Sequence, residues 1–166
     1  STLAARVAAS VRADPYAVVA AGLGVVGGAL HGGAALGAEA MLAVTPDPRE
    51  VPHVIGERLR RGERIPGFGH FVYKAGDPRA TFLLDLLRRG RPDRERLAVV
   101  EAVLAEAARR RLPEPNIDFA LAAFASTARM VKSAAEAIFA IARTAGWVAH
   151  ALEEYAQATT FRQRAI

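Results

Sequence analysis

The chain contains no cysteine, which excludes disulfides and thiolate chemistry and fits a cytoplasmic protein. Lysine is scarce too: Lys74 and Lys132 are the two present, and arginine supplies the rest of the 22 cations. No segment alternates apolar and polar residues with a period of two, so no strand is expected and the fold class is read as all-α. There is no repeat, no heptad run and no low-complexity tail. A signal-peptide pattern is missing, because Arg6, Arg12 and Asp14 precede the first long apolar run and no small-residue cleavage site follows it. That run, residues 16 to 44, carries His31 and Glu39 amid apolar residues and is long enough to raise the question of a membrane span. Glycines 22, 24, 27, 28, 32, 33 and 37 break it, so it reads as a buried helix, a turn and a second helix, with no membrane partner expected.

What is present is enough for one ordinary domain. The chain has 166 residues, 52% of them apolar, which suffices for a sizeable core. The excess of 22 cations over 17 anions gives a net charge of +5 and points to an anionic partner: nucleic acid, a phosphorylated cofactor or a polycarboxylate. The chain starts at Ser1 rather than Met, so it is expected to be a piece of something longer.

Capping residues divide the chain into helices. Ser1 or Thr2 caps a first helix to about residue 13, and Asp14 caps a second with Pro15 in its first position, where the missing N–H is harmless. A third helix is predicted from about 34 to 44, and Asp47 with Pro48 starts another in which Val51, Val54, Ile55 and Leu59 recur at helical spacing and His53 faces solvent. The stretch "RIPGFGHFVYKAGDPRA", residues 64 to 80, is a loop ended by Asp77 and Pro78, cap and first residue of the next helix. In that helix Phe82, Leu83, Leu86 and Leu87 are expected to form the inner face. Further helices are expected over 94–110, 117–130 and 133–157.

Four polar positions are left over once a core is assigned. His31 stands between two glycine pairs, where the backbone can approach a ligand closely, though a plain turn residue would read the same. His70 follows Gly67 and Gly69, whose N–H groups can face an anion or a nucleobase, with Lys74 and Arg79 nearby. Asp118 lies one residue into a helix that Asn116 already caps, where a carboxylate commonly complements the helix dipole. Arg143 sits in a helix among Ile138, Phe139, Ile141, Ala142 and Trp147, and an arginine there needs an anion or a carboxylate. Two histidines and an aspartate admit a metal site, nucleophilic catalysis or paired acid–base chemistry. There is no close histidine pair for the first and no serine or cysteine elbow for the second, yet spacing alone does not choose among the three.

In order along the chain, "STLAARVAASVRADPYAVVAAGLGVVGGALHGGA", "IPGFGHFVYKAGDPRA", "PNIDFA" and "FAIARTAGWVAHALEE" resemble the citrate synthase family. The resemblance implies a mostly helical homodimer, with residues 1–33 and 129–166 in a large domain and 34–128 in a small one. It implies condensation of acetyl-CoA, or a related acyl-CoA, with oxaloacetate or a related 2-oxo acid, then thioester hydrolysis. By that resemblance Asp118 removes the methyl proton, His31 hydrogen-bonds the thioester oxygen and His70 polarises the ketone. Arg79 and Arg143 would clamp the carboxylates, Arg162 would reach the partner subunit's site, and Ile65, Pro66, Gly67, Phe68, Gly69 and Lys74 would hold CoA. CoA enters as co-substrate, with no tightly bound cofactor and no metal implied.

Some positions depart from the family pattern. Ala35 and Leu36 replace an Asn-Glu pair, Phe71 replaces an arginine, and Ala120-Leu121-Ala122 replaces Tyr-Ser-Gly, so polar groups that would orient the histidine and aspartate are gone. Family members are also more than twice as long, with most of the large domain preceding the segment seen here. Two alternatives follow: a non-catalytic homologue that binds CoA or carboxylates, and a basic helical nucleic-acid binder using Arg88, Arg89, Arg91, Arg94 and Arg96. A solvated arginine face is the commoner explanation of the latter set, which disfavours nucleic acid.

Overall fold

A computed structural model describes residues 1–28, 31, 33–157 and 160–161. Its helices are α1 (Thr2–Ser10), α2 (Pro15–Val26), α3 (Gly33–Ala43), a single 3-10 turn (Pro48–Glu50), α4 (Val51–Arg60), α5 (Pro78–Arg89), α6 (Arg94–Arg109), α7 (Ile117–Thr127) and α8 (Ala134–Ala156). Among the described residues there is no strand, and Phe68 and Pro115 form an isolated antiparallel bridge. The all-α class follows from where the chain places its caps. Asp14, Asp47, Asp77, Asp93 and Asn116 each accept backbone N–H groups at a helix or 3-10 start, and Pro follows the first three directly.

The chain forms two compact units, Ser1–Gly33 with Ile138–Ile166, and Ala34–Ala137. In the first, Ala5, Ala9, Val18, Val26 and Ala151 surround Trp147, which is fully buried. A Cβ on Gly22 would lie 2.6 Å from the Trp147 ring, so the glycine is what lets α2 and the indole meet. This unit also leaves large apolar side chains in solvent, among them Leu3, Val11, Tyr16, Ile141 and Leu152. Faces of this kind are expected where further structure covers them.

In the second unit Met41, Leu42, Val51, Ile55, Val99, Val100, Val103 and Phe119 form the core, with α5 packed on α7. The inner face of α5 is Ala80, Leu84 and Leu87, not the expected Phe82 and Leu86, which are 71% and 53% exposed. Residues 80, 84 and 87 share one helical stripe, and a residue two places from Leu84 projects from the far side. Arg96 turns inward, donating to the carbonyls of Leu42 (2.6 Å) and Thr45 (3.0 Å) at the end of α3 and to Ser126 Oγ (3.0 Å). Glu39 on α3 accepts the N–H groups of Ser133 and Ala135, both at 2.7 Å, capping the start of α8.

Candidate functional site

The polar positions fall two and two. His70 and Asp118, with Arg79, belong to the second unit; His31 and Arg143 belong to the first.

In the second unit the loop between α4 and α5 lies on the start of α7. Gly67 and Gly69 have φ of +79° and +78°, a conformation side chains disfavour, and a Cβ on Gly67 would be 2.8 Å from the Phe119 backbone nitrogen. Three hydrogen bonds stitch the loop down: Gly69 N–H to Glu114 O (2.8 Å), Asn116 N–H to Gly67 O (2.8 Å) and Asn116 Nδ2 to Gly69 O (2.7 Å). Asn116 meanwhile caps α7, its Oδ1 accepting from the N–H groups of Asp118 (2.9 Å) and Phe119 (3.3 Å). One side chain therefore places both the His70 loop and Asp118.

The imidazole of His70 is oriented from one side. Nδ1 accepts the N–H groups of Val72 (3.0 Å) and Tyr73 (3.2 Å), which assigns the ring proton to Nε2. Nε2 lies 3.4 Å from Arg79 Nη2. Two donors at that distance do not bond each other; they suit an oxygen acceptor shared between them. Arg79 itself is held by Asp77 and lies over the Tyr73 ring, 5.0 Å from its centroid.

Asp118 is half-buried, and among the described residues its carboxylate accepts no hydrogen bond. Burial pushes its pKa up; the positive charge of Arg79, and that of His70 when its ring is protonated, pulls against this, while Asp77 adds to it. A carboxylate with weakened solvation and no bonded proton donor is the better base for it.

Beside this group opens a cleft of about 770 Å³, lined by Ile65, Phe68, Gly69, His70 and Lys74 among others. Pro66 and Gly67 turn away from it: Pro66 meets Gly37, and Gly67 meets Phe119. Arg64 lines the cleft as well and was not singled out by the sequence reading, although it directly precedes the glycine-rich stretch. Phe71 projects into solvent at the cleft wall, 89% exposed, with Lys74 Nζ 5.7 Å from its ring centroid. Ala35, Ala120 and Ala122 are fully buried, so the departures there fill packing positions.

In the first unit His31 ends a turn, its N–H donating to Gly28 O at 2.9 Å. Nε2 is 3.0 Å from Ser1 Oγ, and the ring packs edge-on against Phe139 at 5.7 Å. Burial, helped by nearby cations that include Arg143, pushes its pKa down and favours the neutral imidazole. Arg143 lies against Gly146 and donates to Thr2 Oγ1; among the described residues it has no carboxylate partner. Arg162 lies outside the described residues.

Residues 1–164 match the family model "Citrate synthase, C-terminal domain". The chain belongs to the citrate synthase family. A citrate synthase of Synechocystis sp. is 37% identical over 172 residues, spanning 100% of this chain and 43% of the relative. The crystal structure of citrate synthase from Thermotoga maritima matches with a TM-score of 0.85 at 30% identity, over 99% of this chain and 47% of that one. Citrate synthase from Thermoplasma acidophilum, solved as a ternary complex with carboxymethyl coenzyme A and oxaloacetate, matches with a TM-score of 0.79 at 30% identity, over 99% and 46% of the two chains. The chain thus spans about half the length of the citrate synthases it matches. The basic residues behind the nucleic-acid alternative do not form one free face: Arg88 pairs with Glu101, Arg89 with Asp85, and Arg96 is turned to α3.

Proposed function

We propose that the full-length protein condenses acetyl-CoA, or a related acyl-CoA, with oxaloacetate or a related 2-oxo dicarboxylate and then hydrolyses the thioester. The observation that carries this reading is the pair of donors, His70 Nε2 and Arg79 Nη2, 3.4 Å apart beside a carboxylate whose pKa is raised. That is a setting for a ketone oxygen and a carboxylate next to a base able to work on a weak carbon acid. Asp118 takes a proton from the carbon next to the thioester, and the electron pair moves onto the thioester oxygen, where neutral His31 donates a hydrogen bond. The enol carbon attacks the ketone carbon, whose oxygen is hydrogen-bonded by His70 Nε2–H and ends with the proton that Asp118 had taken, and water then hydrolyses the thioester to release the acid and free CoA. Arg79, Arg143 and Arg162 bind the oxo acid's carboxylates, the last in the partner subunit of a homodimer. Ile65, Phe68, Gly69 and Lys74 offer an apolar wall and a cation for CoA, with Pro66 and Gly67 shaping the loop from beneath. The carboxymethyl coenzyme A and oxaloacetate held by the Thermoplasma acidophilum relative support these two substrate classes. The reaction is placed in the cytoplasm.

The test is oxaloacetate-dependent release of CoA thiol by the full-length protein. Turnover that D118A lowers by about 10³-fold or more is expected. A folded protein that binds CoA but releases none would leave the non-catalytic binder as the answer.

A further inference from the structure

The chain writes Asp-Pro-Arg twice, at 47–49 and at 77–79, and the two copies make the same local contacts. In each, Oδ1 of the aspartate caps a helical turn by accepting the arginine N–H, at 2.8 Å in the first and 3.1 Å in the second. The arginine's Nε also donates to that Oδ1, at 3.0 and 2.9 Å, and its Nη2 to Oδ2, at 2.5 and 2.8 Å. From there the copies diverge. The Asp47 side chain is 31% exposed and Arg49 is 90% exposed, whereas the Asp77 side chain is wholly buried. Asp77 Oδ2 also accepts the N–H of Ile117, 40 residues away, at 3.0 Å. Capping a helix requires neither the burial nor the second helix.

We propose that Asp77 is a positioning residue: its buried carboxylate locks the Arg79 guanidinium to the first turn of α7 and so fixes the carboxylate clamp relative to the base Asp118. This rests on the reaction proposed above. A charged oxygen is needed because Arg79 would otherwise be free to swing toward Asp118 and pair with it, removing both from their tasks. Within this unit the charged groups acting on Asp118 are Arg79 and Asp77 from the start of α5, joined by His70 of the loop when its ring is protonated, with none from α6 among the described residues. Neutralising Asp77 leaves the Arg79 cation unopposed, so the Asp118 carboxyl ionises at lower pH.

The experiment compares D77N with D47N in the full-length protein over a range of pH. D77N is expected to lower kcat/KM for the oxo acid by about tenfold to a hundredfold, mainly through KM, with KM for acyl-CoA unchanged. The acidic limb of its kcat/KM profile moves to lower pH, while D47N, which neutralises the equivalent exposed cap, leaves profile and KM as they were. If D77N does not fold, D77S retains a capping oxygen without the charge and takes its place. A D77N profile with the limb in its wild-type position and activity loss equal to the fraction unfolded would overturn the proposal, as would the same shift in D47N. If the wild-type protein releases no CoA, the reaction fails, and ¹³C NMR titration of Asp118 in ligand-free protein still decides about Asp77. A lower midpoint in D77N supports it, and an unmoved one overturns it.

Discussion

The two units carry their polar residues in opposite ways. In the second, His70, Arg79 and Asp118 are tied to one another through Asn116, Asp77 and a loop with two left-handed glycines, each held by backbone or buried side-chain bonds. In the first, His31 sits in a turn and touches a serine hydroxyl and one phenylalanine, while Arg143 donates to a threonine hydroxyl. The second arrangement is built before any substrate arrives. The first is a neutral imidazole and a cation that still lacks a carboxylate among the described residues, so an anion is what would complete it. Such preorganisation of the base and of Arg79 suits the proposed reaction, in which both must hold still.

The largest effects should come from breaking the preorganised side. Gly67→Ala places a methyl 2.6 Å from Phe119 Cβ and 2.8 Å from its backbone, at a φ of +79°. Neither backbone can yield cheaply, and a destabilisation of about 3 kcal/mol or more is expected in denaturant unfolding. Asn116→Ala follows, removing the α7 cap and the bond to Gly69 O together, at about 2 kcal/mol. A loss of only a few tenths there would mean the loop is held without it.

The same glycine substitution in the first unit should behave differently. A Cβ on Gly146 meets Arg143 Nη1 at 3.2 Å, the free end of a flexible side chain. Gly146→Ala in the middle of α8 is therefore expected to change stability by no more than about 1 kcal/mol, in the stabilising direction, through helix propensity. Its effect belongs in a raised KM for the oxo acid as the guanidinium is displaced. Strong destabilisation would show that the first unit is as tightly built as the second.

This contrast also explains what could be read from the chain alone. Aspartate-proline pairs and Asn116 made the helix starts legible, since a cap is a local contact between residues two or three apart. Four motifs in order made the family legible. The apolar letters of "TFLLDLL" permit two helical stripes, and the choice of Leu84 over Phe82 and Leu86 was made by packing on α7. That Asp77 reaches Ile117, that Arg96 turns to the carbonyls of α3, and that Pro66 and Gly67 face inward are contacts across 29 to 54 positions, which no local pattern encodes.

The smallest predicted effect bears on Asp118 itself and separates function from stability. Its folded pKa lies above the ordinary carboxylate value, chiefly because burial disfavours the charge. The sign follows from proton linkage: the unfolded chain gives up this proton at lower pH than the folded one, so any stability tied to it is complete below the ordinary carboxylate pKa. It is lost as pH rises through the folded value. At neutral pH the ionised carboxylate thus weighs against folding, and Asp118→Asn, which cannot ionise, should raise the thermal midpoint there while abolishing turnover. Near pH 3 the two proteins should differ little, since both carry a neutral group. Thermal scans of wild type and D118N across this range decide the matter, and a difference independent of pH would mean that Asp118 is not held in a desolvated position.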